Sequence, residues 1–257
     1  MVRTGWWLVA LLGAGMVSEP LWVAPAAAAD APAAADVLAK VDANLVSDSR
    51  SNLVKMTQMK NGRPREFVMQ VFAKGNDKAA IETLEPVREK GTRYLRLKDE
   101  MWTYMPTIER TSKISGHMLR QGLAGTDASY EDLMSMNKLR EQYSAKVVAT
   151  ETLNGRSVWK LELTAIDATI AYPKRLIWVD AADYIPLKQE MYAVSGMLLK
   201  TWEMGDVATF GTRKYPTRMV ISDKVQQGSS TTMVLSNLQF GVSIDDTTFT
   251  TGWLERK

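Results

Sequence analysis

Few residues in this chain have side chains that could carry out chemistry. His117 is the only histidine, and there is no cysteine. The lack of cysteine excludes disulfides, thiolate nucleophiles and thiolate-bound metals. A single histidine offers neither a histidine-rich metal site nor repeated imidazole acid–base chemistry. We therefore expect no metal site and no cofactor.

Two pairs of adjacent acids, Glu131–Asp132 and Asp245–Asp246, are the remaining candidates for general acid–base catalysis. Many hydrolases use two carboxylates, but neighbouring residues in a strand point to opposite faces. Helix capping or a solvated surface therefore explains these pairs better. The sequence has no Gly-x-Ser-x-Gly elbow, phosphate-binding glycine loop or Asp-rich calcium loop. We predict a protein without catalytic residues.

A basic stretch begins at Arg88 and ends at Lys98, and it includes Arg93 and Arg96. One interpretation is docking to an acidic partner or to anionic head groups. The other is a charged strand face that protects a sheet edge from aggregation. The residues alone leave both open.

The first thirty residues have the three parts of a secretory signal: Arg3, the apolar run from Trp6 to Val17, and small residues at 24–29. Cleavage after Ala29 or after Ala35 fits the A-x-A pattern. The apolar run is shorter than the roughly 20 residues of a membrane-spanning helix. We expect a signal peptide at 1–29 and a periplasmic protein without a lipid anchor, because no cysteine is present to be acylated.

The remaining residues, 30–257, contain no linker rich in Pro, Gly or Ser, so we expect one domain, which we take to be monomeric. The formal net charge of +3 is too small to indicate a nucleic-acid partner. Without disulfides, stability has to come from a hydrophobic core.

Hydrophobic periodicity divides this region into one helix and many strands. Residues 36–47 fit an amphipathic helix with Asp36 as its N-cap. After it the period changes to two, with turn signals at Asn61–Gly62 and Asn154–Gly155. We count roughly ten or eleven strands, which predicts a mainly β fold with a large antiparallel sheet.

The alternation stops between Ser115 and Asn137, where glycines separate short apolar pieces. A sheet of this size must close into a barrel or curve over a plug to hide its apolar face. We expect this segment and the N-terminal helix to be the plug, and the segment to be a movable lid. The chain also contains 15 methionines. Methionine adapts to irregular apolar ligands, although it also fills ordinary cores.

Two motifs are distinctive. The first is Met-Trp-x-Tyr-x-Pro at 101–106, and the second is Gly-x-Asp-x-Ser-Tyr-Glu-Asp-Leu at 125–133. With these motifs the chain resembles a distant branch of the LolA-like outer-membrane lipoprotein-sorting proteins, from about Ala35 onward. The resemblance implies a curved antiparallel half-barrel whose concave face is closed by short helices over an apolar cavity.

The resemblance also implies a function. The best-known relatives carry lipoproteins across the periplasm from an inner-membrane transporter to an outer-membrane acceptor. We therefore expect a carrier that binds lipoprotein acyl chains or another lipid. A lipid-sensing regulatory domain of envelope-stress signalling is the alternative, because such regulators resemble the same half-barrel. An enzyme on this scaffold is a third possibility.

Candidate site residues follow from the motifs and from the interrupted segment. Trp102 and Tyr104 share one face of their strand, and are candidates for the cavity wall, with ordinary core aromatics as the alternative. Arg110 and Asp127 could pair to hold the loop over the mouth. The candidate cargo-binding residues are Met101, Trp102, Tyr104, Met105, Met118, Leu119, Leu123 and Met134, and those at the lid or mouth are Arg110, Asp127 and Tyr130.

Overall fold

The computed structural model describes Met1 and residues 32–256. Apart from Met1, the predicted signal peptide and its cleavage site after Ala29 lie outside the described residues. Ala35, the other cleavage candidate, lies in the first turn of a helix. None of the helices in the described ranges is long and apolar enough to cross a membrane.

Residues 32–256 contain thirteen strands, which form one antiparallel sheet. Their bounds are β1 Arg50–Lys60, β2 Arg63–Lys74, β3 Lys78–Glu85, β4 Arg93–Leu97, β5 Glu100–Met105, β6 Arg110–Ile114, β7 Tyr143–Leu153, β8 Arg156–Ala165, β9 Lys174–Asp180, β10 Pro186–Tyr192, β11 Leu198–Phe210, β12 Arg213–Asp223 and β13 Ser230–Phe240.

Four α-helices and five 3₁₀ helices accompany the sheet in the same residues. The α-helices are α1 Ala34–Leu45, α2 Tyr130–Ser135, α3 Leu139–Gln142 and α4 Thr251–Leu254, and the 3₁₀ helices are Val87–Glu89, Pro106–Ile108, Gly116–Arg120, Leu123–Gly125 and Asp246–Phe249.

The strand order explains where the connecting segment lies. The order is β6-β5-β4-β3-β2-β1-β13-β12-β11-β10-β9-β8-β7, so the first and last strands pair at the centre while β6 and β7 form the edges. The sheet is unclosed, as expected of a half-barrel. Residues 115–142 connect the two edges, and they therefore pass over the concave face.

The hairpin turns form where the sequence predicts them. Asn61 and Gly62 both have positive φ, at 51° and 73°, and so do Asn154 and Gly155, at 50° and 78°. Two consecutive positive φ angles produce the turn whose twist matches that of the strands, and asparagine followed by glycine adopts them at low cost. These turns fix the registers of β1 with β2 and of β7 with β8.

Helix α1 packs its apolar face on one half of the sheet. Val37, Leu38 and Val41 are buried against residues of β8 and β9. The carboxylate of Asp42 accepts hydrogen bonds from the first two backbone N–H groups of α3, at 3.3 Å from Leu139 and 2.9 Å from Arg140. This contact joins α1 to the end of the connecting segment.

The C-terminal residues cover the opposite face of β3–β5. Phe249, Trp253 and Leu254 are buried there with Leu95 and Tyr104. Arg93 donates hydrogen bonds to the carbonyl oxygens of residues 253, 254 and 256, at 2.6–3.2 Å, which satisfies the end of α4.

The fold corrects three details of the sequence prediction. The strands number thirteen among the described residues, and β6 was missed because its sequence, Arg110–Ile114, is mostly polar, as suits an exposed edge. Helix α1 begins at Ala34, and Ala33 is its N-cap. Asp36 therefore lies in the first turn, where a negative charge suits the helix dipole.

Candidate functional site

The main cavity lies between the concave face of the sheet and residues 115–142, and its volume is about 180 Å³. Strands β1 to β5 and β11 to β13 form its floor. An apolar cavity of roughly 150 Å³ can hold one benzene ring. The cavity therefore holds only a short apolar group unless residues 115–142, which we call the cover, move.

A row of four methionines crosses the floor. Met56 of β1 pairs with Met233 of β13, which pairs with Met219 of β12, which in turn pairs with Met204 of β11. All four line the cavity. We call these residues the methionine row; with adjacent strands about 4.8 Å apart, it extends over about 14 Å.

The cover contributes the apolar roof. Leu123 follows the 3₁₀ helix at 116–120, and Leu133, Met134 and Met136 come from α2 and the residue after it. A Cβ atom at Gly122 would lie 1.7 Å from the carbonyl oxygen of Thr126, so only glycine fits there. This glycine is required by a tight turn in the cover.

Asp127 fastens the cover to strand β13 and the residue before it. Its carboxylate accepts hydrogen bonds from Ser229 at 2.5 Å and Thr231 at 2.6 Å, and its backbone N–H donates to the Thr231 hydroxyl at 3.0 Å. All of these groups are buried. Gln58 of β1 donates a further hydrogen bond to the carbonyl oxygen of Gly125 at 2.6 Å.

Asp132 is a second attachment point. It forms a capping box with Ser129 at the start of α2. Its carboxylate also accepts from Lys200 of β11 at 2.6 Å and from the Tyr172 hydroxyl at 2.7 Å. Burial, and then repulsion by the Asp132 carboxylate, raises the pKa of Tyr172 well above 10.0, so Tyr172 keeps the proton that it donates.

Tyr130 of α2 contacts Tyr94 of β4, with ring centroids 5.9 Å apart. Burial raises the pKa of both hydroxyls, and the neighbouring Tyr130 raises the pKa of Tyr94 further. The pair is neutral, and it joins the cover to the other half of the sheet.

Residues 133–137 of the cover are attached more weakly than the residues that follow, where Asp99 holds Lys138 and Asp42 holds the start of α3. The side chain of Asn76 donates to the carbonyl oxygen of Asn137 at 3.4 Å, and Arg175 donates to the Ser135 hydroxyl at 3.5 Å. Both contacts are at the long limit for a hydrogen bond. Residues 133–137 are otherwise held by apolar contacts with the core.

One end of the cavity is polar. Arg50, Asn52 and Arg96 line it from the sheet, and Asn76 and Asn137 from the loops. Arg50 donates to the Tyr215 hydroxyl at 2.5 Å. The opposite end lies beneath Leu123 and the network around Asp127. The cavity thus combines an apolar body with a cationic end.

The predicted cargo-binding residues divide between the two faces of β5. Met101 lines the cavity. Trp102 and Tyr104 lie on the other face, where they pack with the C-terminal cluster around Trp253. Contrary to the expectation, neither aromatic lines the cavity, because the C-terminal residues cover that face of the strand; Tyr104 is buried there and Trp102 is half-buried. Met105 is 37% exposed.

The other predicted positions are distributed over the cover. Leu123 and Met134 line the cavity. Met118 and Leu119 are half-buried and pack against the core beside it. Arg110 is exposed on the edge strand β6. The predicted Arg110–Asp127 pair does not form, because Asp127 is buried against β13 and its carboxylate bonds to Ser229 and Thr231.

Two of the acidic candidates for chemistry have structural roles, and the histidine lies at the surface. His117 is exposed, Asp132 caps α2, and Asp245 accepts a hydrogen bond from the backbone N–H of Thr247 at 2.8 Å. The described part of the chain contains no group of three or more acidic or histidine side chains placed to bind a metal ion.

Sequence reasoning missed the methionine row and the cationic end of the cavity. Alternation in β13 places Thr231, Met233 and Leu235 on one face, which is the signal for its inner residues. The row itself depends on β1 pairing with β13, and no turn in the sequence specifies that pairing.

A family model whose description is uncharacterized protein matches residues 75–256. No curated protein matches the sequence.

Solved structures share the fold over most of the chain. A DUF1329 family protein from Desulfovibrio piger has 21% identity and a TM-score of 0.81, over 86% of this chain and 97% of that one. An outer membrane lipoprotein-sorting protein domain from Vibrio parahaemolyticus has 24% identity and a TM-score of 0.78, over 86% and 98%. A LolA superfamily protein from Nitrosomonas europaea has 27% identity and a TM-score of 0.73, over 87% and 100%.

Proposed function

This chain belongs to the family of uncharacterized proteins whose model matches residues 75–256 and has a LolA-like fold, and from that premise we propose that it is a periplasmic carrier of acyl chains. The cargo is a lipoprotein or another lipid, held in the methionine-lined cavity during transfer towards the outer membrane. An inner-membrane transporter would load it and an outer-membrane acceptor would unload it. The predicted signal peptide would direct a single domain, residues 30–257, to the periplasm.

The methionine row is the observation that carries the proposal. Four flexible thioether side chains side by side make an apolar floor that can adapt to chains of different shape. A core that only had to be filled would be better served by branched residues, which lose less side-chain entropy on burial. The LolA superfamily likeness, at 27% identity, supports the same function.

The size of the cavity supports a loading step. At about 180 Å³, the cavity is too small for a whole acyl chain while the cover stays in place. Transfer of ten methylenes from water contributes about 8 kcal/mol. Breaking the two long hydrogen bonds at residues 133–137 costs about 1 kcal/mol each. Displacing residues 133–137 also breaks the apolar contacts of Leu133, Met134 and Met136 with the core, and the acyl chain would replace these contacts. Binding would thus displace residues 133–137 while Asp127 and Asp132 hold the preceding part of the cover.

Catalysis has no support from the arrangement of the site. The cavity is lined mainly by apolar and amide side chains, and its other polar groups are Arg50, Arg96, Lys78 and the hydroxyls of Ser47, Tyr94 and Tyr215. Lys78 pairs with Asp246 at 3.7 Å, and no hydrogen bond among the described residues joins the Ser47 hydroxyl to a base. The proposed role is therefore shielding and release, and it requires no chemical step.

Lipids that co-purify with the mature protein from its native cell envelope test the proposal. Mass spectrometry should find a reproducible acyl species, and a fluorescent fatty acid should bind the delipidated protein and be displaced by that species. Protein that is free of lipid after native purification and does not bind the probe would refute the carrier function.

A further inference from the structure

The basic stretch of the sequence places one arginine inside the cavity. Arg96 is 8% exposed and lines the cavity, whereas Arg93, on the other face of β4, bonds to the C-terminal carbonyl groups. Nε of Arg96 donates to the carbonyl oxygen of Lys98 at 3.0 Å. Nη2 is buried and has no hydrogen-bond partner among the described residues.

Arg96 also lacks an ion pair within 4.0 Å among the described residues. Burial lowers the pKa of Arg96, and the carboxylates of Asp77 and Asp99 raise it only through long-range attraction. Asp77 is exposed, and the carboxylate of Asp99 is 2.6 Å from the amine of Lys138. A buried guanidinium without a carboxylate partner is costly, and an anionic ligand would offset that cost.

The strand register places a second arginine in the same row. Arg50 pairs with Ala73, Ala73 with Ala79, and Ala79 with Arg96. The two alanines leave space between the arginines, and all four residues line the cavity. Nε of Arg50 is buried without a partner. The arginines are thus three strand spacings apart, about 14 Å, with a small-residue floor between them.

The residues change from polar to apolar along the strands. The next cavity-facing row runs from Asn52 through Val71 and Ile81 to Tyr94. Asn52 is 1% exposed, and its side-chain oxygen has no partner in the described structure. One step further along β1 is Val54, followed by Met56 of the methionine row. A ligand that fits this sequence of environments has a polar head and an apolar tail.

We propose that the cargo is an anionic amphiphile whose carboxylate or phosphate is bound by Arg96, with Arg50 as a second positive charge in the same row, while its acyl chain lies over the methionine row. This inference rests on the proposed carrier function and narrows its cargo. An acylated lipoprotein terminus has no anionic group next to its acyl chains, so it would leave Arg96 without a partner.

Three ligands of equal acyl-chain length distinguish an anionic cargo from an uncharged one: a fatty acid, the corresponding fatty alcohol, and a phosphatidic acid. Each is titrated against the same fluorescent probe on the delipidated wild-type protein at neutral pH. A hydrogen bond to a charged group should favour each anionic ligand over the alcohol by about tenfold or more. Equal affinity for acid and alcohol would overturn the inference and leave the carrier function standing. If none of the three binds, the proposed function itself fails.

Substitutions test whether Arg96 causes the preference for the anionic ligand. Arg96→Met should bind the alcohol as the wild type does and lose the preference for the acid. Arg218→Met is the matched control, because Arg218 is an exposed residue on β12 and its removal changes the net charge equally; it should keep the preference. A preference that persists in Arg96→Met would refute the assignment. Should that variant fail to fold, the wild-type comparison and Arg96→Lys, which retains the charge, decide the question.

The source of the anionic group needs its own control. Inorganic phosphate at the concentration at which phosphatidic acid displaces the probe should leave the probe bound, because the acyl chain supplies most of the affinity. Displacement by inorganic phosphate alone would indicate a site for a free anion and would overturn the proposal that the cargo is an amphiphile.

Discussion

Asp127 and Thr231 are hydrogen-bonded to each other in both directions. The Thr231 hydroxyl donates to the Asp127 carboxylate at 2.6 Å and accepts from the Asp127 backbone N–H at 3.0 Å. Thr231 is fully buried, and 104 residues separate the two in sequence. This contact fastens the cover of the cavity to the central strand β13.

Replacing Thr231 by valine should loosen that attachment without creating a void. The substitution removes a hydroxyl bonded to a charged group and leaves the Asp127 N–H without an acceptor, so we expect a loss of about 1–3 kcal/mol in the free energy of unfolding. Urea denaturation measures it. Thr232→Val, on the opposite face of the same strand, is the control and should change stability by less than about 0.5 kcal/mol. Equal effects of the two substitutions would show that this bond does not hold the cover.

Trp102→Ala should destabilise the protein and leave ligand binding unchanged. Trp102 is half-buried against the C-terminal cluster; truncating a fully buried aromatic costs about 3–5 kcal/mol, and we expect a smaller loss here. We expect a clearly lower Tm and a fluorescent fatty-acid Kd within about twofold of the wild type at a temperature where the variant is folded. Loss of binding by folded protein would place Trp102 in the cavity after all.

Met219→Asn should weaken ligand binding. Met219 is half-buried in the methionine row and lines the cavity. A polar amide in contact with an acyl chain has no partner, so affinity should fall by roughly tenfold or more. Met197→Asn is the matched control, because Met197 is 54% exposed, and it should bind normally. Unchanged affinity in both variants would exclude the methionine row from the binding site.

Alkaline pH should weaken the attachment at Asp132. The pKa of Tyr172 is raised above 10.0 by burial and by Asp132. The folded protein therefore keeps a proton that the unfolded chain releases near pH 10. This contribution to stability is complete below that pH and is lost as the pH rises through the folded pKa. Tyr172→Phe should be less stable at neutral pH but lose less stability between about pH 9 and 11. The two proteins differ only at this hydroxyl, so the difference between their curves isolates Tyr172; parallel curves would contradict the assignment.

Local sequence patterns were sufficient for most of the fold. The asparagine–glycine turns specify their hairpins because the two residues tolerate the positive φ angles that the turn requires. The interruption between Ser115 and Asn137 was identified because alternation stops there. The edge strand β6 escaped notice, because its polar residues lack the apolar alternation by which a strand is recognised.

The site was only partly predictable because it depends on non-local pairing. Met101, Leu123 and Met134 were identified from motif and composition, and they line the cavity. The sequence predicted that Trp102 and Tyr104 share a face of their strand, but it did not predict which face of the sheet is concave. That depends on the C-terminal residues, which cover the opposite face. The methionine row and the two arginines come together only when β1 pairs with β13 and β2–β4 set their register.

The last prediction concerns movement of residues 133–137, which we expect to open when cargo enters. Residues 125–132 are attached by hydrogen bonds of 2.5–2.7 Å to Ser229, Thr231, Lys200 and Tyr172, whereas residues 135 and 137 have contacts of 3.4–3.5 Å. Hydrogen exchange in the delipidated protein should therefore be faster in 133–137 than in 125–132, because local opening follows the weaker contacts. Added fatty acid should slow exchange in 133–137, since the acyl chain fills the space beneath it and restores apolar contact. Slow exchange of both segments with and without lipid would indicate a static plug, and cargo would then have to enter by another route.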